Sequence, residues 1–321
     1  MKLFDAHSDV FLRCIKELEI GNPHYFSDEH LANLRVGGFA GAICAVYTPV
    51  EKVVEWDKFL YGELGRVSRV IRAIENRGSA VVACSYGEIE EAVARGVFFI
   101  VLGIEGLGGI GDDVDQIETL YRLGFREVLL TWNEANALAT GVRGDSDRGL
   151  TKTGYQAIEK LEDLGMILDL SHLNDRSFWG AVSVARRPIV ASHSNARALC
   201  DHPRNLTDEQ VRAVADSGGV VGATAVAKFV HPENPCLEVF LDHVDHLVRV
   251  AGMDGVCFGL DYENYLDMEY DPEIDDGVRG ISHLRQAGKI LDGLIRRGYS
   301  ENQIDKLAFD NMARVAREIL G

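Results

Sequence analysis

The sequence has no apolar run long enough to span a membrane and no excess of basic charge. Its 33 lysine and arginine residues stand against 50 aspartate and glutamate residues, and the formal charge of -17 disfavours a nucleic acid or a membrane as a partner. No charged segment with a hydrophobic core and a cleavage site precedes the first predicted strand, so we expect a cytoplasmic protein.

Cysteine pairs and linker segments are also missing. The six cysteines show no Cys-x-x-Cys spacing, which favours reduced thiols over a disulfide framework or a zinc knuckle. Only seven prolines occur, glycine is spread along the chain, and no low-complexity tract or repeat is present. We therefore predict one domain over residues 1–321.

Short apolar runs alternate with segments of helical periodicity. This alternation predicts an α/β fold, a distorted TIM (β/α)8 barrel. A ninth run, Ala80 to Cys84, is interpreted as a short strand outside the barrel. The eight predicted barrel strands are 2–6, 39–46, 98–104, 126–131, 166–170, 188–192, 218–225 and 255–260.

The end of the chain predicts a helix that seals the barrel. Ser300 and Gln303 have the spacing of a capping box, and an amphipathic pattern continues to Ile319.

Several of the apolar runs end in a residue that can bind a metal. In a parallel barrel the strands are buried and their carboxyl ends line the active site. Three histidines, one aspartate and one glutamate suit two adjacent cations of the zinc class, with a carboxylate able to bridge them. The alternative for each histidine is a hydrogen bond at the barrel rim. The candidate ligands are His7, Asp9, Glu105, His172 and His193. His7 and Asp9 are two residues apart at the end of the first predicted strand, so the alternation of a β-strand would direct both side chains to one cation.

These motifs resemble the membrane (renal-type) dipeptidases, peptidase family M19, over nearly the whole chain. The matching segments are His7-Ser8-Asp9, Gly103-Ile104-Glu105-Gly106, Leu170-Ser171-His172, Ser192 to Ala196, Arg204-Asn205, Gly259-Leu260-Asp261 and Asp310 to Val315.

The resemblance implies two zinc ions, with His7 and Asp9 on one, His172 and His193 on the other, and Glu105 bridging them. It also implies that Arg204 binds the free α-carboxylate of the substrate and that Asp261 acts near the reacting amide. A guanidinium can grip a carboxylate with two hydrogen bonds, as an exopeptidase requires.

One position departs from the family pattern. The strand at Val128 to Thr131 should be followed by a histidine that stabilises the tetrahedral intermediate, but Trp132 stands there. The indole N–H of Trp132, or the amide of Asn133 or Asn136, is a candidate replacement donor in the substrate site.

We predict a zinc-dependent metallodipeptidase in which Glu105 and Asp261 are catalytic. It would hydrolyse dipeptides that have a free C-terminal carboxylate and would tolerate a D-residue there. Open alternatives are an N-acyl-amino-acid deacylase, a lactonase, or a metal-binding relative with weakened catalysis. A dipeptide is the expected partner, and a homodimer remains open.

An acidic segment follows Asp261 and runs from Glu263 to Asp276. It is interpreted as a solvated loop on the face of the metals, because exposed charges are screened within about 8 Å at physiological salt. The alternative is a loop that attracts basic dipeptides.

Overall fold

The computed structural model describes residues 2–48, 55–266 and 277–321. Nine parallel strands form its single sheet. The strands are β1 Leu3–Ser8, β2 Phe39–Tyr47, β3 Ala80–Val82, β4 Phe98–Glu105, β5 Phe125–Leu129, β6 Ile167–Asp169, β7 Val190–Ala191, β8 Val220–Ala223 and β9 Val256–Phe258.

Eight of these strands close into a barrel, which confirms the predicted fold. Its order is β1, β2, β4, β5, β6, β7, β8 and β9, and β9 pairs with β1 through Asp5 and Phe258. Strand β3 lies outside this ring, as predicted. It pairs with the first half of β4, whereas β5 pairs with the second half of the same edge.

Helices surround the barrel and connect its strands. The segments with helical periodicity form helices, and some of them begin with a side-chain cap. For example, Thr207 and Gln210 form a capping box at the start of α8. The helices are α1 Val10–Glu19, α2 Leu31–Gly37, α3 Trp56–Arg77, α4 Tyr86–Arg95, α5 Gln116–Arg122, α6 Lys152–Leu164, α7 Asp175–Val182, α8 Asp208–Asp216, α9 Ala227–Val230, α10 Leu237–Ala251, α11 Gly288–Arg296, α12 Glu301–Asp305 and α13 Asn311–Leu320.

The interior of the barrel is apolar at its amino-terminal end. Phe4 and Phe99 meet there edge to face with ring centroids 4.8 Å apart. Helix α13 closes this end, since Met312 and Val315 belong to the same buried cluster as these rings. Each such side chain contributes about 1.5–3 kcal/mol through burial. Helix α13 lies in the part of the chain where a sealing helix is predicted, and Ser300 and Gln303 form the predicted capping box at the start of α12.

Most strands are shorter than the apolar runs that predicted them. The run at 188–192, for example, contributes only Val190–Ala191 to the ladder. The chain leaves the ladder at the carboxyl ends of the strands, and the residues there turn toward the mouth of the barrel. Candidate site residues lie at this mouth, opposite α13. Within the described residues, no helix is long and apolar enough to cross a membrane.

Candidate metal centre and active site

The five candidate metal ligands lie together at the carboxyl ends of the strands. Glu105 is at their centre: its Oε1 lies 2.8 Å from Nε2 of His172 and 3.6 Å from Nε2 of His193. The Nε2 of His7 lies 3.7 Å from the same oxygen. One carboxylate thus faces three imidazole nitrogens, which is the position that a bridging ligand requires.

His172 and His193 are held so that both Nε2 atoms point to the same place. These two atoms are 2.9 Å apart. The Nδ1 of His172 lies 2.9 Å from the amide oxygen of Asn133, and the Nδ1 of His193 lies 2.7 Å from the hydroxyl of Ser192. When the Nδ1–H of His172 donates to this amide oxygen, the Nε2 lone pair is left for a cation.

His7 and Asp9 form the other side of the cluster. The Nε2 of His7 lies 3.9 Å from Oδ1 of Asp9. Asp9 does not continue β1 as the spacing predicts; it precedes α1, and the ladder shifts register between Asp5 and Ser8. The two side chains converge because the backbone turns there, and the alternation of a regular strand is not the cause.

The buried atoms of this pair lack hydrogen-bond partners. Both ring nitrogens of His7 and the Oδ1 of Asp9 have none within the described part of the chain. Burial lowers the pKa of His7 to about 4, so the ring is neutral at pH 7 and can offer a lone pair. Buried polar atoms without partners are costly, and a cation bound here would satisfy them.

Three carboxyl groups, those of Asp9, Glu105 and Asp261, lie close together in the same region. Burial raises the pKa of Glu105 and of Asp261 well above the ordinary range, and the nearby carboxyl of Asp9 raises both further. Burial raises the pKa of Asp9 itself to about 7. Carboxylates that repel one another in this way are stabilised by divalent cations. Among the residues that the structure describes, two groups of three have ligand atoms within 4.8 Å of one another, namely His7, Glu105 and His193, and His7, Asp9 and Asp261.

Asp261 follows β9 and lies beside His7 and Asp9. Its backbone has a φ of 50°, and that of His172 has a φ of 71°. These are the two non-glycine residues in the left-handed region within the described segments. Such conformations cost about 1–3 kcal/mol and concentrate at functional sites.

Arg204 lies beside the metal ligands and is only 4% exposed. Its Nη2 donates to the backbone oxygen of His193 at 3.3 Å, and its guanidinium stacks over Phe229 at 5.4 Å. Its Nε has no hydrogen-bond partner within the described residues. Burial lowers the pKa of Arg204 to about 10, so the group remains charged at pH 7 and can bind an anion.

Several of the site residues described above line a cavity of about 330 Å³. Its walls include Glu105, Asp261 and Arg204, together with Trp132 and Asn133 from the loop after β5. This volume is at the lower end of the range of about 300–1,000 Å³ for small-molecule sites.

Asn136 is not brought to the cavity wall. Its side-chain NH2 donates to the oxygen of Leu130, and its amide oxygen accepts the N–H groups of Leu138 and Ala139. The amide of Asn136 orders the loop after β5 through these bonds. Trp132 lies between Tyr47 and Arg143, with 5.2 Å between the aromatic centroids and 5.3 Å from the guanidinium to the indole.

Several cavity residues were not predicted from the sequence. Leu12 lies in α1, Lys228 and Phe229 lie in the short helix α9, and Tyr47 ends β2, directly after the predicted strand 39–46; the others lie outside the strands and α-helices. Only Tyr47 had a signal, its place at the carboxyl end of a strand, because the others belong to no motif. The full set is Leu12, Tyr47, Val142, Arg143, His202, Pro203, Lys228, Phe229 and Leu266. In the acidic segment, Glu263 lines the cavity, while residues 267–276 lie outside the described part of the chain.

A family model matches residues 1–320, and its description is membrane dipeptidase, peptidase family M19. An uncharacterized protein from the pqqA 5′ region of Klebsiella pneumoniae is 34% identical over 253 residues, which cover 75% of this chain and 90% of that protein.

Two solved structures are similar along almost their entire length. One is dipeptidase AC, described as a metallopeptidase of family M19; it is 26% identical, with a TM-score of 0.87 over 100% of this chain and 99% of the other. The second is a metallopeptidase from Rhodobacter sphaeroides with a phosphinate mimic of the dipeptide L-Ala-D-Ala; it is 25% identical, with a TM-score of 0.86 over 99% of both chains.

Proposed function

Because the chain belongs to the membrane dipeptidase family, peptidase family M19, and is a metallodipeptidase, we propose that it uses two zinc ions to hydrolyse dipeptides that carry a free C-terminal carboxylate. One observation carries this proposal: three candidate ligands, Asp9, Glu105 and His172, line one small cavity together with Arg204 and Asp261. The other two, His7 and His193, lie next to Glu105.

The donor set fits two cations of the zinc class. It consists of imidazole nitrogens and carboxylate oxygens, and it contains no sulfur. The ring nitrogens of His7 and the Oδ1 of Asp9 have no hydrogen-bond partner within the described residues. We assign His7 and Asp9 to one ion, His172 and His193 to the other, and Glu105 to both. Two bound cations supply Lewis-acid polarisation of the scissile carbonyl and lower the pKa of water.

Arg204 positions the substrate. Its buried, charged guanidinium can form two hydrogen bonds with the α-carboxylate of the C-terminal residue. Fixing this carboxylate places the single amide of a dipeptide over the candidate ligands. In a longer peptide only the C-terminal amide could lie there, and the additional residues would have to fit a cavity of about 330 Å³. A simple lactone has no carboxylate to offer.

Asp261 transfers the proton in this mechanism. Burial and the neighbouring Asp9 raise the pKa of its carboxyl well above the ordinary range. A group with a raised pKa can accept a proton from the attacking water and donate it to the leaving amine. Trp132 and Asn133 line the same cavity, and the indole N–H of Trp132 is the proposed donor to the developing oxyanion. Asn133 instead orients His172 through its amide oxygen.

A D-residue at the C-terminal position is part of the proposal. The Rhodobacter sphaeroides relative was solved with a mimic of L-Ala-D-Ala, which supports a site of this type. Arg204 would bind the carboxylate of an L- or a D-residue, and the side chains of these two enantiomers would occupy different parts of the cavity.

The test is hydrolysis of L,L and L,D dipeptides by the zinc-loaded protein, with amine release as the readout. We expect turnover of free dipeptides, including L,D forms, and little turnover of tripeptides. Hydrolysis of acyl amino acids or lactones, without hydrolysis of dipeptides, would contradict the proposal.

A further inference from the structure

Two acidic side chains are buried inside the barrel beneath the candidate metal ligands. Glu127 on β5 and Asp169 on β6 are both 0% exposed. The register pairs Glu127 with Gly103 on β4 and with Ile167 on β6, a residue of the interior cluster, so Glu127 also faces the interior. Neither residue lines the cavity, and the mechanism above does not use either one.

Asp169 connects the two strand ends that carry histidine ligands. Its Oδ1 accepts the backbone N–H of Ser171 at 2.8 Å and that of Ser192 at 3.1 Å. Ser171 directly precedes His172, and Ser192 directly precedes His193. One carboxylate oxygen therefore fixes the backbone position of both histidines relative to each other.

The other oxygen of Asp169, Oδ2, lies in the same buried interior as Glu127. Glu127 pairs with Ile167, and Asp169 is two residues further along the strand of Ile167, so its side chain lies on the same face. Within the described residues, neither Oδ2 of Asp169 nor either oxygen of Glu127 has an N–H or a hydroxyl partner. Burial, and next the Asp169 carboxyl, raise the pKa of Glu127 well above the ordinary range, so Glu127 keeps its proton and can donate it to Oδ2 of Asp169.

Gly103 provides the space for Glu127. A Cβ atom at position 103 would lie 2.2 Å from Oε2 of Glu127. The absence of a side chain on β4 thus matches a carboxyl group on β5. Burying two acids costs stability unless both are paired. Two apolar side chains in this part of the barrel interior would avoid that cost.

We propose that Glu127 and Asp169 form a proton-sharing pair that positions His172 and His193 for metal binding. Glu127 donates its O–H to Oδ2 of Asp169 and is a positioning residue, since it touches neither substrate nor metal. The inference rests on the proposed function only in taking these two histidines as metal ligands.

The test compares Glu127→Gln with Glu127→Leu. The side-chain amide of glutamine can still donate to Oδ2 of Asp169, whereas leucine has a similar size and no donor. We expect the glutamine variant to bind Zn²⁺ within about threefold of the wild-type affinity. The leucine variant should bind it about 10–100-fold more weakly, which is the usual effect of removing a residue that orients a metal ligand. Titration of metal-free protein against a chromophoric zinc chelator measures these affinities.

Two further measurements keep the outcomes distinct. Urea unfolding of the metal-free variants reports the fraction folded, so that affinity is calculated for folded protein. Glu162 serves as the matched control, because it is a buried glutamate that binds Arg186 outside the barrel; Glu162→Gln should leave zinc affinity unchanged.

Wild-type affinity in Glu127→Leu would overturn the positioning role. Equal losses in the leucine and glutamine variants would overturn proton sharing. The chelator titration does not depend on substrate, so a failure of the proposed dipeptidase activity would appear separately, as a wild-type protein that binds zinc and hydrolyses no dipeptide.

Discussion

The amide oxygen of Asn133 lies 2.9 Å from Nδ1 of His172 and orients the imidazole ring. Asn133 was predicted as a donor to the oxyanion, a role that would use its NH2 group, whereas its amide oxygen contacts a candidate ligand. Of the three proposed replacements for the family histidine, Trp132 is the one that lines the cavity without serving another site residue in this way. Asn136 orders a loop through its amide group.

We expect Trp132→His to retain its metal and to change kcat or substrate preference. Trp132 lies on the cavity wall, and a histidine there would restore the donor typical of the family. Losing such a donor outright typically costs about 3 kcal/mol of transition-state stabilisation. Metal analysis and steady-state kinetics on L,L and L,D dipeptides check this. Trp179→His is the matched control, since Trp179 is 43% exposed and is not part of the cavity wall. Loss of metal in Trp132→His would show that Trp132 supports the ligands.

Metal stoichiometry tests the two-ion site. Purified with sufficient zinc, the protein should contain nearly two ions per chain, because two clusters of donor atoms meet at His7. His172→Ala should lose chiefly one ion, since Glu105 still helps to hold the other. His246→Gln is the control, because this histidine pairs with Asp208 outside the site. Inductively coupled plasma mass spectrometry gives the counts. A wild-type content of one ion or less would contradict the two-ion site.

Arg204→Lys keeps the charge and loses the paired hydrogen-bond donors. We expect kcat/KM for free dipeptides to fall by about 10–100-fold, which corresponds to about 1.4–2.8 kcal/mol of transition-state stabilisation. C-terminally amidated dipeptides should be poor substrates for the wild type. Arg197→Lys is the matched control, since Arg197 pairs with Asp175 away from the cavity. Equal turnover of free and amidated dipeptides would remove the proposed role of Arg204.

The pH dependence of stability should change in Asp5→Asn. Burial raises the pKa of Asp5 to about 7 from an ordinary value of 3.8. Between these values the folded state holds a proton that the unfolded state has released, so this group favours folding at low pH and loses that contribution as pH rises through 7. The wild-type free energy of unfolding, minus that of Asp5→Asn, should therefore fall from pH 4 to pH 7 by up to a few kcal/mol.

Urea titrations of both metal-free proteins at several pH values measure this difference. A difference that rises with pH would mean that Asp5 is ionised in the folded protein. The N–H groups of His7 and Leu260, which Oδ1 of Asp5 accepts, would then outweigh the cost of its burial.

The barrel and the candidate ligands could be predicted because their signals are local. An apolar run that ends in one polar residue marks both a buried strand and its site position, as at Phe98 to Glu105. The convergence of His7 and Asp9 was predicted from the alternation of side chains along a regular strand. In the structure a turn before α1 brings the two side chains together instead.

Other features depend on contacts between residues far apart in the sequence. Arg143 reaches the cavity from a loop and Lys228 from the four-residue helix α9, and no local pattern in the sequence indicates either position. Glu127 and Asp169 look like ordinary charged residues in their own segments. Their relation exists only once β5 pairs with β6, and Gly103 on β4 leaves the space that Glu127 occupies.

The pairing of β1 with β9 has a consequence for the order of events during synthesis. Asp5 pairs with Phe258, about 250 residues later in the chain. At roughly 5–20 residues per second, the ribosome needs on the order of 10–50 s to make the strand that closes the ring. His7 and Asp9 are synthesised first, and during that interval the candidate ligands on the later strands are still being added to the chain. All five candidate ligands are present in the chain once His193 is made, but the ring that fixes their relative positions closes only after translation of β9.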